Sequence, residues 1–188
     1  MKIILKSSSP RRKELLSNMG YEFDIKVYEV DESIDFAKSP YENVKELGLK
    51  KCAINKELDY GSILIGCDTI VVLDGVIYGK PKNEEDARRM LKLFSGKCHE
   101  VMSGVGVIYK EKVYNFVDVS NVYFRQLTDQ EIDEYIESKE CFGKAGSYAI
   151  QGLGGRFVDH YEGSLNNIIG LPTEMLSKVL GEIYEMED

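Results

Sequence analysis

Predicted strands and helices alternate along this chain, and that alternation constrains its fold more than any other feature. A short apolar strand, Ile3–Leu5, leads into a helix that is expected to run from Pro10 to about Met19, and Gly20 stands where helices commonly end. Chains that alternate in this way usually form a sheet covered by helices. We therefore predict an α/β fold.

Capping, turn and apolar patterns place the remaining elements. Further strands are predicted at Glu22–Val30, Ser62–Cys67, Ile70–Leu73, Val76–Tyr78, Glu100–Tyr109 and Lys112–Phe124, the last two as an antiparallel pair. Further helices are predicted from Pro40 to Leu58, from Asn83 to about Gly96, from Thr128 onward and from Thr173 to Tyr184. Asp74-Gly75 is typical of a tight hairpin turn. Glycines are frequent between Gly143 and Gly170.

Length and charge limit the classes of function. The 188 residues contain no linker-like or low-complexity segment, so we expect a single domain, residues 1–188. The formal net charge of −8 argues against nucleic acid and membrane surfaces as partners, because both are strongly anionic. A small phosphorylated ligand would need a local basic cluster and a divalent cation.

The targeting and cysteine patterns favour a cytoplasmic protein. The N-terminus lacks the pattern of a signal peptide, and no apolar run reaches the length of a membrane span. The four cysteines are widely separated and form no Cys-x-x-Cys pair, which favours reduced core thiols over a zinc site.

The segment from Ser7 to Leu16 places hydroxyls and two guanidiniums at a predicted helix start. Ser9 is a good N-cap and Pro10 a good first helical residue, so free backbone amides would lie beside Arg11 and Arg12. Helix starts of this kind bind phosphate, and a guanidinium adds paired donors. A capped surface helix with solvated arginines explains the segment equally well.

A lysine interrupts the apolar stripe of the second predicted helix. Val44, Leu47, Ile54 and Leu58 follow helical spacing, and Lys51 occupies the missing position. Because burial of an unpaired ammonium is costly, either the side chain of Lys51 reaches the edge of the core or an anion lies beside it. On the pattern alone, the first explanation is the commoner one.

Asp68 and Thr69 directly follow a strand that is apolar on both faces, and ligands bind at the carboxyl ends of such strands. A carboxylate there holds magnesium or takes a proton from water, although a simple Asx turn fits the pattern as well. Lys80 lies on a constrained loop, Gly79-Lys80-Pro81. Gln151 lies in a glycine-rich stretch that is typical either of close approach to a ligand or of a structural loop.

Taken together, these motifs resemble the Maf-type nucleoside triphosphate pyrophosphatases over nearly the whole chain. The matching motifs are Ser7-x-Ser9-Pro10-Arg11-Arg12, Glu14-Leu15-Leu16, Val30-Asp31-Glu32, Lys51, Asp68-Thr69, Gly79-Lys80-Pro81, Met90-Leu91, Ser95-Gly96, His99-Glu100-Val101, Lys144-Ala145-Gly146, Gln151-Gly152, Gly163-Ser164 and Gly170-Leu171-Pro172. The resemblance implies a Maf/inosine-triphosphatase-like fold, in which helices flank a central mixed sheet and a nucleotide cleft lies between two lobes. It also implies a homodimer.

The implied reaction is hydrolysis of a nucleoside triphosphate between its α- and β-phosphates with a divalent metal, Mg²⁺ or Mn²⁺. The residues implied to neutralise the triphosphate are Arg11, Arg12, Lys51 and Lys80, with Ser7 as a further donor. Glu32 and Asp68 would hold the metal, and Asp68 would accept the proton of the attacking water. The residues implied to be catalytic are therefore Asp68, Glu32, Lys51 and Lys80.

The resemblance further implies a preference for dTTP and UTP, as part of nucleotide-pool sanitation. Arg11, Thr69 and Gln151 match the residue types of the branch with that preference, and an amide both donates and accepts, as the imide edge of uracil or thymine requires. The alternatives are specificity for 7-methyl-GTP and a non-catalytic, nucleotide-binding regulator of septation. Three positions depart from the family pattern: Asn121, Gly143 and Leu165.

Overall fold

Strands and helices alternate in a computed structural model that describes residues 1–187. The strands are β1 (Ile3–Leu5), β2 (Phe23–Ile25), β3 (Ile63–Leu73), β4 (Val76–Tyr78), β5 (Cys98–Tyr109), β6 (Lys112–Phe124) and β7 (Val158–Glu162). The α-helices are α1 (Pro10–Asn18), α2 (Pro40–Ala53), α3 (Glu84–Phe94), α4 (Asp129–Glu137), α5 (Leu165–Ile169) and α6 (Thr173–Glu185). Short 3₁₀ helices cover Lys56–Asp59, Ala145–Ser147 and Leu153–Phe157.

The strands form a mixed sheet in the order β2-β1-β3-β5-β6-β7, with β4 paired to β3. β1 runs parallel to β2 and β3, whereas β4 is antiparallel to β3 and β7 to β6. The predicted α/β class and central mixed sheet are therefore confirmed. Among the described residues, no helix has both the length and the apolar character of a membrane span.

The described chain divides into two compact units. Unit 1 contains Met1–Thr69, Ser103–Asp118 and the residues from Gly170 onward, and unit 2 contains Ile70–Met102 and Val119–Ile169. The expectation of one domain over residues 1–188 stays a prediction, as does the cleft between two lobes.

In unit 1, helix α2 packs against the sheet through glycines. A Cβ at Gly104 on β5 would overlap the carbonyl of Val44, and a Cβ at Gly48 on α2 would lie 2.8 Å from the backbone nitrogen of Val105. A Cβ at Gly66 on β3 would lie 2.7 Å from the Cα of Cys52. The helix and the strands therefore approach backbone to backbone, which fixes the position of α2 over β3 and β5.

Unit 2 has its own hydrophobic core, which is rich in aromatic rings. Helix α3 contributes Leu91 and Phe94, and helix α4 contributes Ile132 and Tyr135. These side chains pack with strand residues that include Val71, Val101, Val122 and Phe124. Leu91, Phe94 and Tyr135 are completely buried.

Asp68 and Thr69 do not follow the end of a strand, so that prediction is wrong. The segments predicted as separate strands, Ser62–Cys67 and Ile70–Leu73, form the single strand β3, and both polar residues lie inside it. The sheet hydrogen bonds use backbone groups, so a polar side chain at a half-buried position does not interrupt them. The hairpin at Asp74-Gly75 is confirmed, with positive φ of 51° and 78°.

Two predicted elements are shorter than the sequence patterns indicated. Helix α2 ends at Ala53 rather than Leu58, because Asn55 adopts a left-handed conformation (φ 51°) and a 3₁₀ turn follows. Leu58 is 68% exposed and does not belong to the buried stripe. β2 covers three residues instead of Glu22–Val30, since its partner β1 is itself only three residues long.

Candidate active site

The start of helix α1 has the predicted geometry. The hydroxyl of Ser9 accepts a hydrogen bond from the backbone nitrogen of Arg12 (3.4 Å), and Pro10 is the first helical residue. The hydroxyl of Ser7, which is buried, accepts from the backbone nitrogen of Ser9 (3.2 Å). The N-cap therefore orders the loop between β1 and α1, so that Ser7 and the helix-start amides occupy fixed positions.

The guanidinium of Arg12 is held by three acceptors of unit 1. Its Nε donates to the carbonyl of Gly170 (2.8 Å), its Nη2 to the hydroxyl of Thr69 (3.0 Å) and its Nη1 to the hydroxyl of Ser7 (3.3 Å). A guanidinium has five N–H groups in one plane. Arg12 is therefore fixed in orientation and keeps donors for a further anion.

Thr69 belongs to a polar network that the sequence patterns did not reveal in full. Its hydroxyl lies 2.9 Å from the hydroxyl of Ser103, which is completely buried on β5. Gly170 takes part through its carbonyl, which accepts from Arg12. Ser103 was not predicted as a site residue; the signal that could have indicated it is a hydroxyl inside the long apolar strand β5.

Arg11 precedes Arg12 on α1 and is half-buried. Its partial burial and the neighbouring charge of Arg12 lower the pKa of its guanidinium. Two adjacent cations at one helix start raise each other's electrostatic energy, and an anion between or beside them would relieve it.

Lys51 of α2 binds two carboxylates. Its ammonium lies 2.6 Å from a carboxylate oxygen of Asp68 and 2.7 Å from one of Glu32. The side chains of Lys51 and Asp68 are only 15% and 14% exposed, whereas that of Glu32 is 56% exposed. The two explanations that the sequence left open are thereby resolved: an anion lies beside this lysine, and it is the protein's own pair of acids.

The environment of Lys51 has opposing effects on its pKa. Burial alone would lower the pKa, but the charge and hydrogen bonds of Asp68 and Glu32 outweigh burial and raise it. The ammonium therefore stays protonated and neutralises much of the negative charge of the two acids.

Glu32 and Asp68 together offer two carboxylates to a metal. Among residues 1–187, no group of three or more His, Cys, Asp and Glu side chains is arranged to hold a metal ion. Magnesium is commonly held by one or two carboxylates, with substrate phosphates and waters completing its coordination. Two carboxylates that converge on one positive charge fit that kind of site.

Lys80 and Gln151 belong to unit 2, and both are exposed. The loops that carry them are joined, because the backbone nitrogen of Gly146 donates to the carbonyl of Gly79 (3.1 Å). In unit 1, the structure brings Ser7, Arg12 and Thr69 into one contact network. It brings Glu32, Lys51 and Asp68 into a second network, and Asp68 is adjacent to Thr69 in the chain.

The three departures from the family pattern all lie in unit 2. Asn121 is half-buried on β6 opposite Glu162 of β7. Gly143 is exposed with a φ of 72°, a conformation that glycine adopts without strain. Leu165 is the first residue of α5 and is 39% exposed.

Comparisons with known proteins agree with these motifs. A family model described as "Maf-like protein" matches residues 2–183. A Bacillus cereus (strain AH820) protein named "dTTP/UTP pyrophosphatase" is 48% identical over 179 residues, which cover 95% of this chain and 94% of that protein. A Bacillus thuringiensis subsp. konkukian (strain 97-27) protein of the same name has the same identity and coverage.

Among solved structures, the chain is similar to the "Nucleoside-triphosphatase / dITP/XTP pyrophosphatase" from Mycobacterium abscessus. The sequence identity is 12% and the TM-score 0.46, with coverage of 100% of this chain and 97% of that chain.

Proposed function

The chain belongs to the Maf family, and on that premise we propose that it hydrolyses nucleoside triphosphates, with dTTP and UTP preferred, to the monophosphate and pyrophosphate. The names of the relatives that are 48% identical support this substrate class. The corresponding proposed cellular role is nucleotide-pool sanitation, with normal or modified pyrimidine nucleotides as substrates.

The observation that carries the proposal is the cluster of Lys51, Glu32 and Asp68. Lys51 is a largely buried cation that binds both acids, and Asp68 precedes Thr69, whose hydroxyl accepts a hydrogen bond from Arg12. A hydrolase acting on a triphosphate needs a proton acceptor for water together with cations that stabilise the departing pyrophosphate. A protein that only binds nucleotide needs no such acceptor.

In the proposed reaction, Asp68 accepts a proton from water. The water oxygen bonds to the α-phosphorus, the bond from that phosphorus to the bridging oxygen breaks, and pyrophosphate leaves with the electron pair. Lys51, Lys80, Arg11 and Arg12 carry the positive charges that stabilise the leaving group. Ser7 and the amides at the start of α1 add hydrogen-bond donors.

Glu32 and Asp68 are the proposed holders of a divalent metal, Mg²⁺ or Mn²⁺. The metal, when bound, supplies charge neutralisation of the phosphate oxygens. The orientation of Asp68 comes from the chain itself, through the strand β3 and the contact with Lys51.

Base preference is assigned to Arg11, Thr69 and Gln151. The amide of Gln151 offers a donor and an acceptor to the imide edge of a pyrimidine. Thr69 is already oriented by Arg12 and Ser103, so a base that contacts it meets a fixed hydroxyl.

The test is incubation of the purified protein with Mg²⁺ and a panel of nucleotides that includes dTTP, UTP, GTP and 7-methyl-GTP. We expect pyrophosphate and a monophosphate as products, fastest with dTTP or UTP. Orthophosphate as the product would show that a different bond of the triphosphate is cleaved. Fastest turnover of 7-methyl-GTP would show that the protein has the alternative specificity. Nucleotide binding without turnover on any substrate would favour a non-catalytic regulator.

A homodimer and a cytoplasmic location complete the proposal. The homodimer rests on the family resemblance, and the location rests on the four widely separated cysteines, which are typical of reduced thiols. Light scattering coupled to size-exclusion chromatography tests the first. A single species with the mass of one chain, 21.3 kDa, would refute it.

A further inference from the structure

Unit 2 contains a buried polar pair that the proposed reaction does not use. Nε2 of His99 on β5 lies 2.7 Å from the hydroxyl of Tyr148, and the two residues are 1% and 6% exposed. The rings of Phe94 and Phe124 lie against the imidazole, with centroids 4.9 and 5.0 Å away. A buried hydrogen-bonded pair in an aromatic core contributes less to folding stability than an apolar pair of the same shape, because both polar groups lose their contacts with water.

The imidazole of His99 is neutral in this environment. Burial lowers its pKa to about 3, far below neutral pH. Within the described residues its Nδ1 is buried and has no hydrogen-bond partner, so the bond to Tyr148 is the polar contact that holds the ring. The pair therefore keeps one fixed arrangement at neutral pH.

Tyr148 belongs to the segment Lys144–Gln151, here called the glycine-rich loop. Its backbone takes unusual conformations before Tyr148, with φ of 70° at Gly146 and 68° at Ser147. A Cβ at Gly146 would lie 2.9 Å from the side chain of Val71, so the loop lies directly on β3. A residue other than glycine keeps a left-handed backbone conformation only where its surroundings impose it.

The same loop connects the two predicted site residues of unit 2. Gln151 follows Tyr148 by three positions, and Gly146 donates its N–H to the carbonyl of Gly79, the residue before Lys80. A displacement of Tyr148 would therefore move the amide of Gln151 and release one restraint on the loop of Lys80.

We propose that His99 is a positioning residue for nucleotide recognition: through its hydrogen bond to Tyr148 it fixes the glycine-rich loop, and with it Gln151 and Lys80. This inference rests on the proposed function, because it assigns those two residues to nucleotide binding. His99 itself does not touch the nucleotide. Loss of its hydrogen bond should therefore change substrate affinity and base selectivity, and not the proton transfer at Asp68.

The test compares Tyr148→Phe, His99→Phe and the double variant with the unaltered protein. Tyr148→Phe removes only the hydroxyl. We expect each single variant to raise KM for dTTP about tenfold, to change kcat less than about twofold, and to reduce the preference for dTTP over GTP in kcat/KM. Hydrogen exchange of residues 144–151 should become faster in the same variants.

The double variant separates positioning from stability. Replacing both polar groups removes the unpaired partner that each single variant leaves buried, so the unfolding free energy should recover. Base selectivity should stay reduced, because the directional bond is still absent. Tyr123→Phe on β6, outside the loop, is the matched control and should keep the KM of the unaltered protein.

Three outcomes would overturn the inference. Unchanged KM and selectivity in both single variants would refute it, and so would selectivity that recovers together with stability in the double variant. An absence of turnover by the unaltered protein on every nucleotide would refute the proposed function, and this inference with it.

Discussion

Among single residues, Lys51 is the one whose interactions define the candidate site. Its ammonium stands between Glu32 and Asp68, the residues proposed to receive a metal. A buried charge that loses its partner is strongly destabilising, so the two largely buried members, Lys51 and Asp68, depend on each other. Substitutions there therefore change both chemistry and electrostatics, and the two effects need separate measurements.

The proposed role of Asp68 as proton acceptor is tested by Asp68→Asn, which keeps the shape of the side chain and removes its basicity. We expect kcat to fall by about 10²–10⁴, the usual contribution of a general base, while the nucleotide dissociation constant changes much less. Steady-state kinetics and isothermal titration calorimetry measure the two quantities. Asp24→Asn, at an exposed ion pair with Lys2, is the control. Equal losses in turnover and binding would contradict the role of Asp68.

At the proposed metal site, Lys51 would compete with the metal for the same carboxylates, so Lys51→Met should strengthen binding of Mg²⁺ in the absence of nucleotide by about tenfold or more. The reason is that Glu32 and Asp68 lose their internal cation. Calorimetric titration with metal alone measures the change. Lys50→Met is the control, because Lys50 donates to a backbone carbonyl, that of Asp31, rather than to either acid. Identical metal affinity in both variants would contradict the competition.

At the scale of secondary-structure elements, the contact of α2 with β3 and β5 brings Lys51 to Asp68. Gly48, Gly66 and Gly104 leave no room for a Cβ at this contact. Lys51 lies on α2 and Asp68 two residues after Gly66, so the separation of helix and sheet sets the length of their ion pair.

Gly104→Ala should therefore push α2 away from the sheet. We expect the free energy of unfolding to fall by about 3 kcal/mol, the upper range for overpacking a core, and kcat to fall as well. Gly181→Ala on α6 is the control, since a Cβ there meets nothing within 4 Å. That variant should gain about 0.5–1 kcal/mol from helix propensity. Urea denaturation measures the free energy of unfolding of both variants. Equal stability of the two variants would show that the close approach is not required.

The elements also show what local patterns predict well. The N-cap at Ser9 is confirmed, and the helices predicted from Pro40 and from Thr128 begin at the caps Ser39 and Thr128, because a cap depends on residues within one turn. The length of β2 and the continuity of β3 were predicted wrongly, because strand limits depend on partners distant in the chain. β7 was not predicted, since its exposed residues lack an apolar alternation.

At the scale of the whole molecule, the buried His99 should make stability depend on pH. The unfolded chain takes up a proton on this histidine below about pH 6.5, whereas in the folded protein its pKa is about 3. Between these values the unfolded state binds more protons, so stability falls as the pH falls, by about 1.4 kcal/mol per unit from this group.

Urea titrations at about pH 7, 6, 5 and 4, which span the window between the two pKa values, measure that slope, with His99→Phe as the comparison. In the variant, the part of the pH dependence of unfolding free energy that comes from His99 should be absent. The part that comes from the carboxylates should remain. If the unfolding free energy of the two proteins fell equally with pH, the assignment of acid sensitivity to His99 would be contradicted.

The sequence alone determined the α/β class, the helix starts, the hairpin at Asp74-Gly75 and the motifs that identify the Maf family. Each of these depends on residues close together in the chain or on a pattern that can be read in order. Only the tertiary structure decided that the anion beside Lys51 is supplied by Glu32 and Asp68, and that Arg12 holds Thr69 and Gly170. These partners are up to 158 residues apart, and their contacts follow from how closely the helices approach the sheet, which no local pattern records.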